Sequence, residues 1–414
     1  RDNTERPTSV LVSQLRDHLD ACWQLAKESP SNNLLSALTV EHKLQAFSRD
    51  YFMQDQASLK SPLFTYAKEW ERSDTRVAEL PEPPLTEVKL DSPVSLGKLT
   101  AFLKDPVKTF FLERLRVDYR TDDLKSEDQE PFAIDALGQW GLQNLLIKAR
   151  LDALLSKRNE EEAVRQQLAR IQRRGELPVG SMATLLQSTL TEPLDKMFEL
   201  YGLARNAWPQ AIDDAVFEYT HPVASQRIDV QGRLTHCYAG NDGRCRIELN
   251  SSNLIDGKQR YRRDKLLPAW IMHLASHLGG TPITTLIVGK NAPVVINPLD
   301  PDEAKDHFNR ILEAYIAGLS SPLPVAPGTA FAWLNSGGEV FRGALSDCDL
   351  GGVGPAREQY DGNYNFEGEA KDSPYLQRVY PDFEKLWSGG RFTELCSELY
   401  EPLNNCVGQT DEAE

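Results

Sequence analysis

The hydrophobic pattern of this 414-residue chain changes from a helical to a strand-like period near residue 214, and this change constrains the fold more than any other feature. Before it, apolar residues recur at helical spacing, which is typical of amphipathic helices. After it, short apolar segments are separated by turn residues, which is typical of strands. We therefore predict an α/β or α+β fold, in which helices precede a mixed sheet with further helices interleaved.

The same periods predict the individual elements. Helices are predicted at 7–27, within 28–45, after Ser95, after Pro106, at 137–156, at 159–174, from Gly180, at 264–278, at 301–318 and as a pair within 380–404. Strands are predicted at 216–219, 225–230, 234–238, 244–249, 283–288 and 294–296, with turns at Gln231-Gly232 and Asn241-Asp242-Gly243. Ser95 should cap its helix, and Asp300 to Glu303 form a capping box. The stretch 337–377, rich in glycine and aspartate, is expected to be a loop.

Residues 46–92 match neither period. They combine prolines with aromatic residues, which predicts an extended connector anchored by Phe47, Tyr51, Phe52, Phe64 and Tyr66. These rings can pack within the chain or on a neighbouring protein, and the sequence leaves both open. The predicted organisation is an N-terminal helical segment at 1–45, the connector, and a compact domain at 93–414. Because the chain opens at Arg1 within polar sequence, we expect it to be part of a longer protein.

A net charge of −15 limits how this chain can meet nucleic acid. Proteins that coat DNA through phosphate contacts alone are usually basic, so any DNA contact must use a local basic patch. One such cluster surrounds Tyr261 and consists of Lys258, Arg260, Arg262, Arg263 and Lys265. It is either a phosphate- or partner-binding patch or a solvated loop before a helix, and the sequence does not decide. The run at 165–174 is expected to be the solvated face of a charged helix.

Several other chemistries lack their motifs. The six cysteines show no C-x-x-C spacing, which favours reduced thiols in a cytoplasmic protein. No phosphate-cradling Walker motif and no apolar run of membrane-spanning length is present. His273 and His277 share one helical face, as in zinc hydrolases, but Leu274 stands where the glutamate would follow and no third ligand is evident. We therefore expect structural histidines and no metal.

The strands within 225–254 carry a further pattern. A magnesium-dependent nuclease needs carboxylates converging from adjacent strand ends and a lysine near the scissile phosphate. Restriction-endonuclease-like exonucleases supply them as Gly-x-Ile-Asp on one strand and Asp-Tyr-Lys on the next. Here the two motifs are Gly232-Arg233-Leu234-Thr235 and Glu248-Leu249-Asn250. Strand character and spacing are retained, but Thr235 replaces the first carboxylate and Asn250 replaces the lysine.

Three segments, in order, carry a family resemblance. The first is Asp2–Val12, the second is His42–Ser48 followed by Tyr51-Phe52, and the third contains Leu99, Phe102, Pro106, Val107, Phe110, Phe111, Arg114 and Leu115. They resemble, respectively, the segment after the last helicase-like motif, a His-Pro-Leu-Gln-Pro-Phe-Ser…Tyr-Phe signature, and the helical entry to the third domain of the gamma-subunit (RecC) family of exodeoxyribonuclease V. Lys43 and Ala46 replace the two prolines of the signature. The resemblance extends over almost the whole chain.

This resemblance implies that 93–414 is an inactivated nuclease-like domain with a restriction-endonuclease-like core of mixed sheet flanked by helices. The family's active relative has a histidine, an aspartate, a lysine and a glutamine at the positions of Thr184, Thr235, Asn250 and Leu266. Glu248 alone keeps a carboxylate, and a lone carboxylate cannot hold Mg²⁺ tightly. Losing the groups that offset transition-state charge should cost on the order of 10³-fold in rate or more. The resemblance therefore implies no catalytic residue and no cofactor.

The resemblance also implies partners and a cellular setting. These are the beta (RecB) and alpha (RecD) subunits, and duplex and single-stranded DNA, in the cytoplasm. Residues 1–45 would be the tail of a helicase-like domain, and the nuclease-like domain would help split duplex DNA and dock the other subunits. Recognition of the Chi sequence belongs to the whole gamma subunit, and this chain alone is not expected to perform it.

Two alternatives remain at the level of sequence. An active Mg²⁺-dependent exonuclease with displaced ligands would have to recruit Asp229, Asp242 and Glu248, although Asp229 lies three residues before Gly232 instead of three after it. An unrelated soluble domain would match the motifs by chance. A digestion assay with Mg²⁺ tests the first alternative, and co-purification with the beta and alpha subunits tests the second.

Overall fold

A computed structural model describes residues 8–26, 33–52, 63–67, 85–90, 92–119, 134–178, 180–223, 226–241, 243–364 and 366–407. The chain divides into two compact units, Arg1–Pro84 and Leu85–Glu414. Within the described ranges, no helix is both long and apolar enough to cross a membrane.

The first unit contains two helices, α1 (Val10–Cys22) and α2 (Leu34–Leu38), and a 3-10 turn at Arg49–Tyr51. The first helix is shorter than the predicted range 7–27. It begins after a serine cap, since the Ser9 hydroxyl accepts the backbone N–H of Val12. Most of the predicted connector lies outside the described residues. Of its aromatic anchors, Tyr51 is buried and its hydroxyl accepts the Lys43 N–H at 2.9 Å, so this ring packs within its own segment.

The second unit contains most of the helices. They are α3 (Leu96–Lys104), α4 (Pro106–Thr109) continuing as a π-helical turn (Phe110–Leu115), α5 (Ala136–Leu155), α6 (Glu160–Arg173), α7 (Ser181–Ala207), α8 (Leu267–His277) after a 3-10 turn (Arg263–Leu266), α9 (Pro301–Ser320), α10 (Pro327–Leu334), α11 (Val353–Asp361), α12 (Glu369–Asp372), α13 (Pro374–Val379), α14 (Phe383–Trp387), α15 (Arg391–Leu399) and α16 (Glu401–Cys406), with further 3-10 turns at Leu345–Asp347 and Ser388–Gly390. The caps predicted at Ser95 and Asp300 are present, because their side chains accept the N–H groups of Lys98 and Asp302.

The described strands are β1 (Val94–Ser95), β2 (Gln210–Ala211), β3 (Ala215–Val223), β4 (Gln226–Leu234), β5 (Cys237–Gly240), β6 (Gly243–Leu249), β7 (Ile283–Val288) and β8 (Pro293–Ile296). They form a three-stranded sheet in the order β1-β4-β3 and a five-stranded sheet in the order β2-β5-β6-β7-β8. β6 and β7 are parallel and are joined through α8, whereas β5 and β8 pair antiparallel to them. The mixed α/β prediction is confirmed, and the closer restriction-endonuclease likeness stays a prediction.

The five-stranded sheet is covered on both faces, which is why β7 is mostly apolar. On β7, Ile287 faces the main core with α8 and α9, and the next residue, Val288, faces a second cluster formed by α5, α6 and α7. In the main core, Phe102 of α3 packs edge-to-face on Tyr315 of α9, with ring centroids 5.4 Å apart. Both rings are buried, and this contact ties the helix that ends at Lys104 to the core.

Two predictions around β4 are wrong. No turn occurs at Gln231-Gly232, which lies inside β4; a Cβ on Gly232 would approach Leu96 Cδ1 to 2.5 Å, so glycine is needed for the close approach of α3. The strand predicted at 234–238 is interrupted, because His236 takes a left-handed conformation, φ 60°, between β4 and β5. The chain therefore passes from one sheet to the other at Thr235 and His236.

The region from 327 onward is more helical than predicted. α10 was not predicted, α11 and α12 lie within the stretch expected to be a loop at 337–377, and α13 begins within that stretch and ends at Val379. Ala356 and Tyr360 of α11 and Tyr375 of α13 are buried in the main core. Short helices in a glycine-rich segment are stabilised here by tertiary burial instead of local propensity.

Candidate nucleic-acid interface

The predicted basic cluster lies in the loop between β6 and α8. This loop leaves the carboxyl end of β6, where the parallel pair β6–β7 opens. In open α/β sheets, ligands commonly bind outside the carboxyl ends of parallel strands. The topology therefore places the cluster where a ligand site is expected.

A single carboxylate organises the basic loop. Asp256 Oδ1 accepts the backbone N–H groups of Lys258 and Arg260 at 2.8 and 2.9 Å, and Asp256 Oδ2 pairs with the Arg260 guanidinium at 2.9 Å. Burial would raise the pKa of Asp256, but these hydrogen bonds outweigh it and the pKa is lowered. Asn291, after β7, holds the base of the loop by accepting the Leu254 N–H at 2.8 Å and donating to the Ile255 carbonyl at 2.8 Å. The loop is thus fixed at both its tip and its base.

The five predicted cations differ in their ion pairing and in their solvent exposure. Arg260 pairs with Asp256 and Lys265 pairs with Asp264, each at 2.9 Å. Arg263 is half-buried, and burial lowers its pKa. Lys258 and Arg262 are exposed and form no ion pair within the described part of the chain. These two side chains are therefore the ones most available to an anionic ligand.

All five cations line one cleft of about 930 Å³, together with Lys104 at the end of α3. Partial burial and the neighbouring Lys265 lower the pKa of Lys104. The six cations are called the basic wall below. Sequence analysis missed Lys104, because nothing in its helix indicates that it approaches a loop more than 150 residues later.

Part of the cleft lining is acidic. It consists of Glu358, Glu369 and Asp372, which are called the acidic wall below. The floor is α10, which packs against the 3-10 turn of the basic loop and against α11. Glu369 also caps α10: its carboxylate accepts the N–H groups of Gly328 and Thr329 at 3.0 and 2.7 Å and the Thr329 hydroxyl at 2.8 Å. Burial raises the pKa of Glu369 despite these hydrogen bonds.

The structure brings part of the degenerate nuclease pattern together. Where β5 pairs with β6, Cys237 lies opposite Arg246, and the Ile247 N–H donates to the His236 carbonyl at 3.0 Å. Thr235, the residue before His236, therefore lies towards the end of β6 that carries Glu248. Glu248 does not stand free: Arg246 Nη1 lies 2.7 Å from its Oε2. Arg246 is 5% exposed and was missed by sequence analysis, although its spacing of two from Glu248 places both side chains on one face of β6.

The remaining positions of that pattern do not join a site. Asn250 Oδ1 accepts the Ser252 N–H at 2.9 Å and so closes a local turn. Leu266 is fully buried in the main core. Thr184 is exposed on the first turns of α7. Thr184, Asn250 and Leu266 form no hydrogen bond or ion pair with Glu248 in the described part of the chain, and each has an ordinary structural environment.

The carboxylates that an active nuclease would have to recruit are also separated. Asp229 lies on β4 in the three-stranded sheet, where its Oδ1 accepts the Thr220 hydroxyl at 2.7 Å. Asp242 lies outside the described residues. Among the residues that are described, no three His, Cys, Asp or Glu side chains are grouped as a metal ion would need.

His273 and His277 are structural side chains of α8. His277 Nδ1 donates to the His273 carbonyl at 2.8 Å, and its Nε2 accepts the N–H groups of Leu299 and Ile283 at 3.1 and 3.3 Å. Both of its ring nitrogens are thus engaged, and no lone pair is left for zinc. His273 Nδ1 lies 2.9 Å from the Thr285 hydroxyl, and Thr285 stands beside Arg246 in the sheet register.

Because His273 is buried, we predict that the folded chain loses stability in acid. Burial, followed by the neighbouring His277, lowers the pKa of His273 to about 3, so the folded chain keeps this ring neutral while the unfolded chain protonates it below about 6.5. The unfolded state then binds more protons, and stability falls as the pH drops from about 6.5 towards 3. We expect His273 to contribute a loss of about 2 kcal/mol between pH 6.5 and 5. Urea unfolding across this range measures it.

His273→Gln should flatten that pH dependence, and His18→Gln, which changes an exposed histidine, should not. Burial raises the pKa values of Asp105 and Glu369, which alters stability in the opposite direction, so the slopes of variant and wild type are compared. Identical slopes in wild type and His273→Gln would contradict this account of His273.

The comparisons with known proteins point to one family. The RecC C-terminal domain family matches residues 91–338. The RecBCD enzyme subunit RecC of Escherichia coli (strain K12) is 26% identical over 397 residues, covering 92% of this chain and 32% of that protein. The corresponding subunit of Mycobacterium tuberculosis (strain CDC 1551 / Oshkosh) is 24% identical over 355 residues, covering 80% of this chain and 28% of that protein. The chain thus spans about a third of the length of these curated relatives.

Proposed function

The chain belongs to the RecC C-terminal domain family, and from that premise we propose that it is a non-catalytic part of a RecBCD-type complex in DNA repair. In this proposal it lines the path of DNA, helps split the duplex and docks the beta (RecB) and alpha (RecD) subunits. The predicted division into 1–45, 46–92 and 93–414, with the last segment an inactivated nuclease-like domain, forms part of the same proposal.

The observation that carries the non-catalytic part is the pair formed by Arg246 and Glu248. Glu248 is the one carboxylate retained in the degenerate pattern, and a buried guanidinium already neutralises it at 2.7 Å. A divalent ion at Glu248 would have to displace that guanidinium, which would leave a buried cation without its partner and cost several kcal/mol. Thr235 and Asn250 offer no second carboxylate to offset this cost.

The basic wall supports contact with DNA. Lys258 and Arg262 project from a loop that Asp256 and Asn291 hold in place, so little ordering is required when a phosphate binds. Arg260 and Lys265 already have carboxylate partners, and the chain carries a net charge of −15. We therefore expect weak and salt-sensitive binding by the chain alone.

Exposed apolar side chains support the docking of other subunits. Leu137 and Trp140, three residues apart on α5, are 73% and 45% exposed, so both lie on one exposed face of that helix. Exposed tryptophan side chains are frequent anchors of protein interfaces. Co-purification of the chain with the beta and alpha subunits tests this part, and its absence from complexes assembled on the other two subunits would count against it.

An active exonuclease with displaced ligands is the second candidate, and it has less support. It would require Asp229 to leave its bond with Thr220 in one sheet and reach Glu248 in the other. No observation favours such a movement.

We expect no metal-dependent nuclease activity. The purified chain incubated with linear DNA and Mg²⁺ or Mn²⁺ should leave the DNA intact on a gel, because Glu248 is already paired with Arg246 and no second carboxylate or lysine of the pattern remains to hold the ion or offset the transition-state charge. Glu248→Ala is the control for a contaminating nuclease, since such a contaminant would persist in both preparations. Digestion by the wild type that Glu248→Ala abolishes would overturn the non-catalytic proposal.

A further inference from the structure

The cleft that contains the basic wall is nearly balanced in charge. Six cationic side chains and five carboxylates line it. Two of the carboxylates, Asp256 and Asp264, pair with cations of their own loop. The other three form the acidic wall. A site built only for tight phosphate binding would not place unpaired carboxylates in the same cleft as its cations.

Two residues of the acidic wall are available to act on a ligand. Glu358 and Asp372 are exposed, and neither forms an ion pair within the described ranges, although Glu358 accepts a hydrogen bond from the Asn363 side-chain amide. Glu369 differs, because its carboxylate already accepts the backbone N–H groups at the start of α10. Glu358 and Asp372 therefore line the cleft as carboxylates that are not paired with its cations.

We propose that Glu358 and Asp372 limit how tightly the cleft holds DNA, because their carboxylates repel the phosphates of a strand that Lys258 and Arg262 contact in the same cleft. This inference rests on the proposed function, since it concerns the same cleft and the same ligand. It adds a role for the acidic wall: a strand that must move through the cleft is held weakly enough to slide.

The physical effect is electrostatic and of modest size. A carboxylate about 10 Å from a phosphate repels it through water, and about 0.1 M salt reduces that repulsion to roughly a third. Two such carboxylates facing several phosphates should weaken binding about threefold near 0.1 M salt and more at lower salt. The effect is large enough to measure and should grow as salt is diluted.

The test measures the affinity of the whole chain for a fluorescent oligonucleotide by anisotropy at several salt concentrations. Glu358→Gln/Asp372→Asn should bind about threefold more tightly near 0.1 M salt, with a steeper dependence of log K on log salt. Glu358→Lys/Asp372→Lys should strengthen the effect further. Melting temperatures close to that of the wild type show that the variants are folded.

A matched control separates the acidic wall from net charge. Glu161→Gln/Glu162→Gln removes the same two charges from exposed positions on α6 that do not line the cleft. Equal tightening by this control would overturn the inference, and so would unchanged affinity in both acidic-wall variants. If the acidic-wall variants are unchanged while Lys258→Gln/Arg262→Gln weakens binding, the inference fails and the proposed DNA contact stands. If neither wild type nor any variant binds DNA, the proposed DNA contact itself fails.

Discussion

Truncation of Phe102 to alanine is expected to lower the free energy of unfolding by about 3–5 kcal/mol, because it removes a large buried ring and leaves a cavity that the surroundings fill only in part. Phe102 is fully buried and packs edge-to-face on Tyr315 at 5.4 Å. Its Cε2 would also lie 2.7 Å from a Cβ at Gly318, so α9 approaches this ring closely. Chemical denaturation of the whole chain, followed by tryptophan fluorescence, measures the loss.

The same substitution should loosen the cleft. Phe102 lies two residues before Lys104, so a shifted α3 would move one cation of the basic wall. Val216→Ala is the control, because Val216 is 74% exposed and its truncation should change stability by less than about 0.5 kcal/mol. A loss below about 1 kcal/mol for Phe102→Ala would show that the interface of α3 and α9 is not part of a tightly packed core.

Much of the fold could be predicted because local patterns and tertiary packing agree. The strand at 283–288 and the helices at 137–156 and 159–174 were predicted within one residue at either end, since their apolar periods are regular and Asp135 and Asn159 cap the two helices. The helix at 301–318 extends two residues further. Elements of this kind depend on local sequence, which a single chain displays in full.

The failures occur where distant residues decide the local structure. Gly232 looked like a turn residue, but it is a strand residue whose missing side chain leaves room for Leu96, more than 130 positions earlier. α10 and α11 form in a segment rich in glycine because Trp333, Ala356 and Tyr360 are buried against later helices. Such determinants are tertiary, and no period in the sequence displays them.

The candidate site also combines features that the local sequence displays with features that only the tertiary fold displays. The basic loop was identified from five cations in eight residues, which is a local signal. Its pairing with Asp256 and Asp264, the contribution of Lys104 and the acidic wall depend on how the chain folds back. Arg246 lies only two residues from Glu248 and could have been found from strand alternation, which places both side chains on one face.

Reversal of the two most available cations, Lys258→Glu/Arg262→Glu, is expected to weaken DNA binding on the order of a hundredfold at low salt, because two phosphate contacts are lost and two repulsive charges replace them. The slope of log K against log salt should become shallower by about 2, since each neutralised phosphate contributes about 0.9. Both side chains are exposed and neither supports the loop, so folding should be retained. Anisotropy titrations between about 50 and 200 mM salt give both quantities.

The control for this reversal is Arg165→Glu/Arg170→Glu on α6, which changes the net charge equally at exposed positions that do not line the cleft. If DNA contacts are confined to the basic wall, this control should weaken binding only slightly, through the long-range field, and should change the salt slope much less than the reversal does. An equal loss in both variants would mean that the chain attracts DNA through its overall field and not through the cleft. A large loss with an unchanged slope would indicate that Lys258 and Arg262 contact something other than phosphate, because each lost phosphate contact reduces the number of counterions released and therefore the slope.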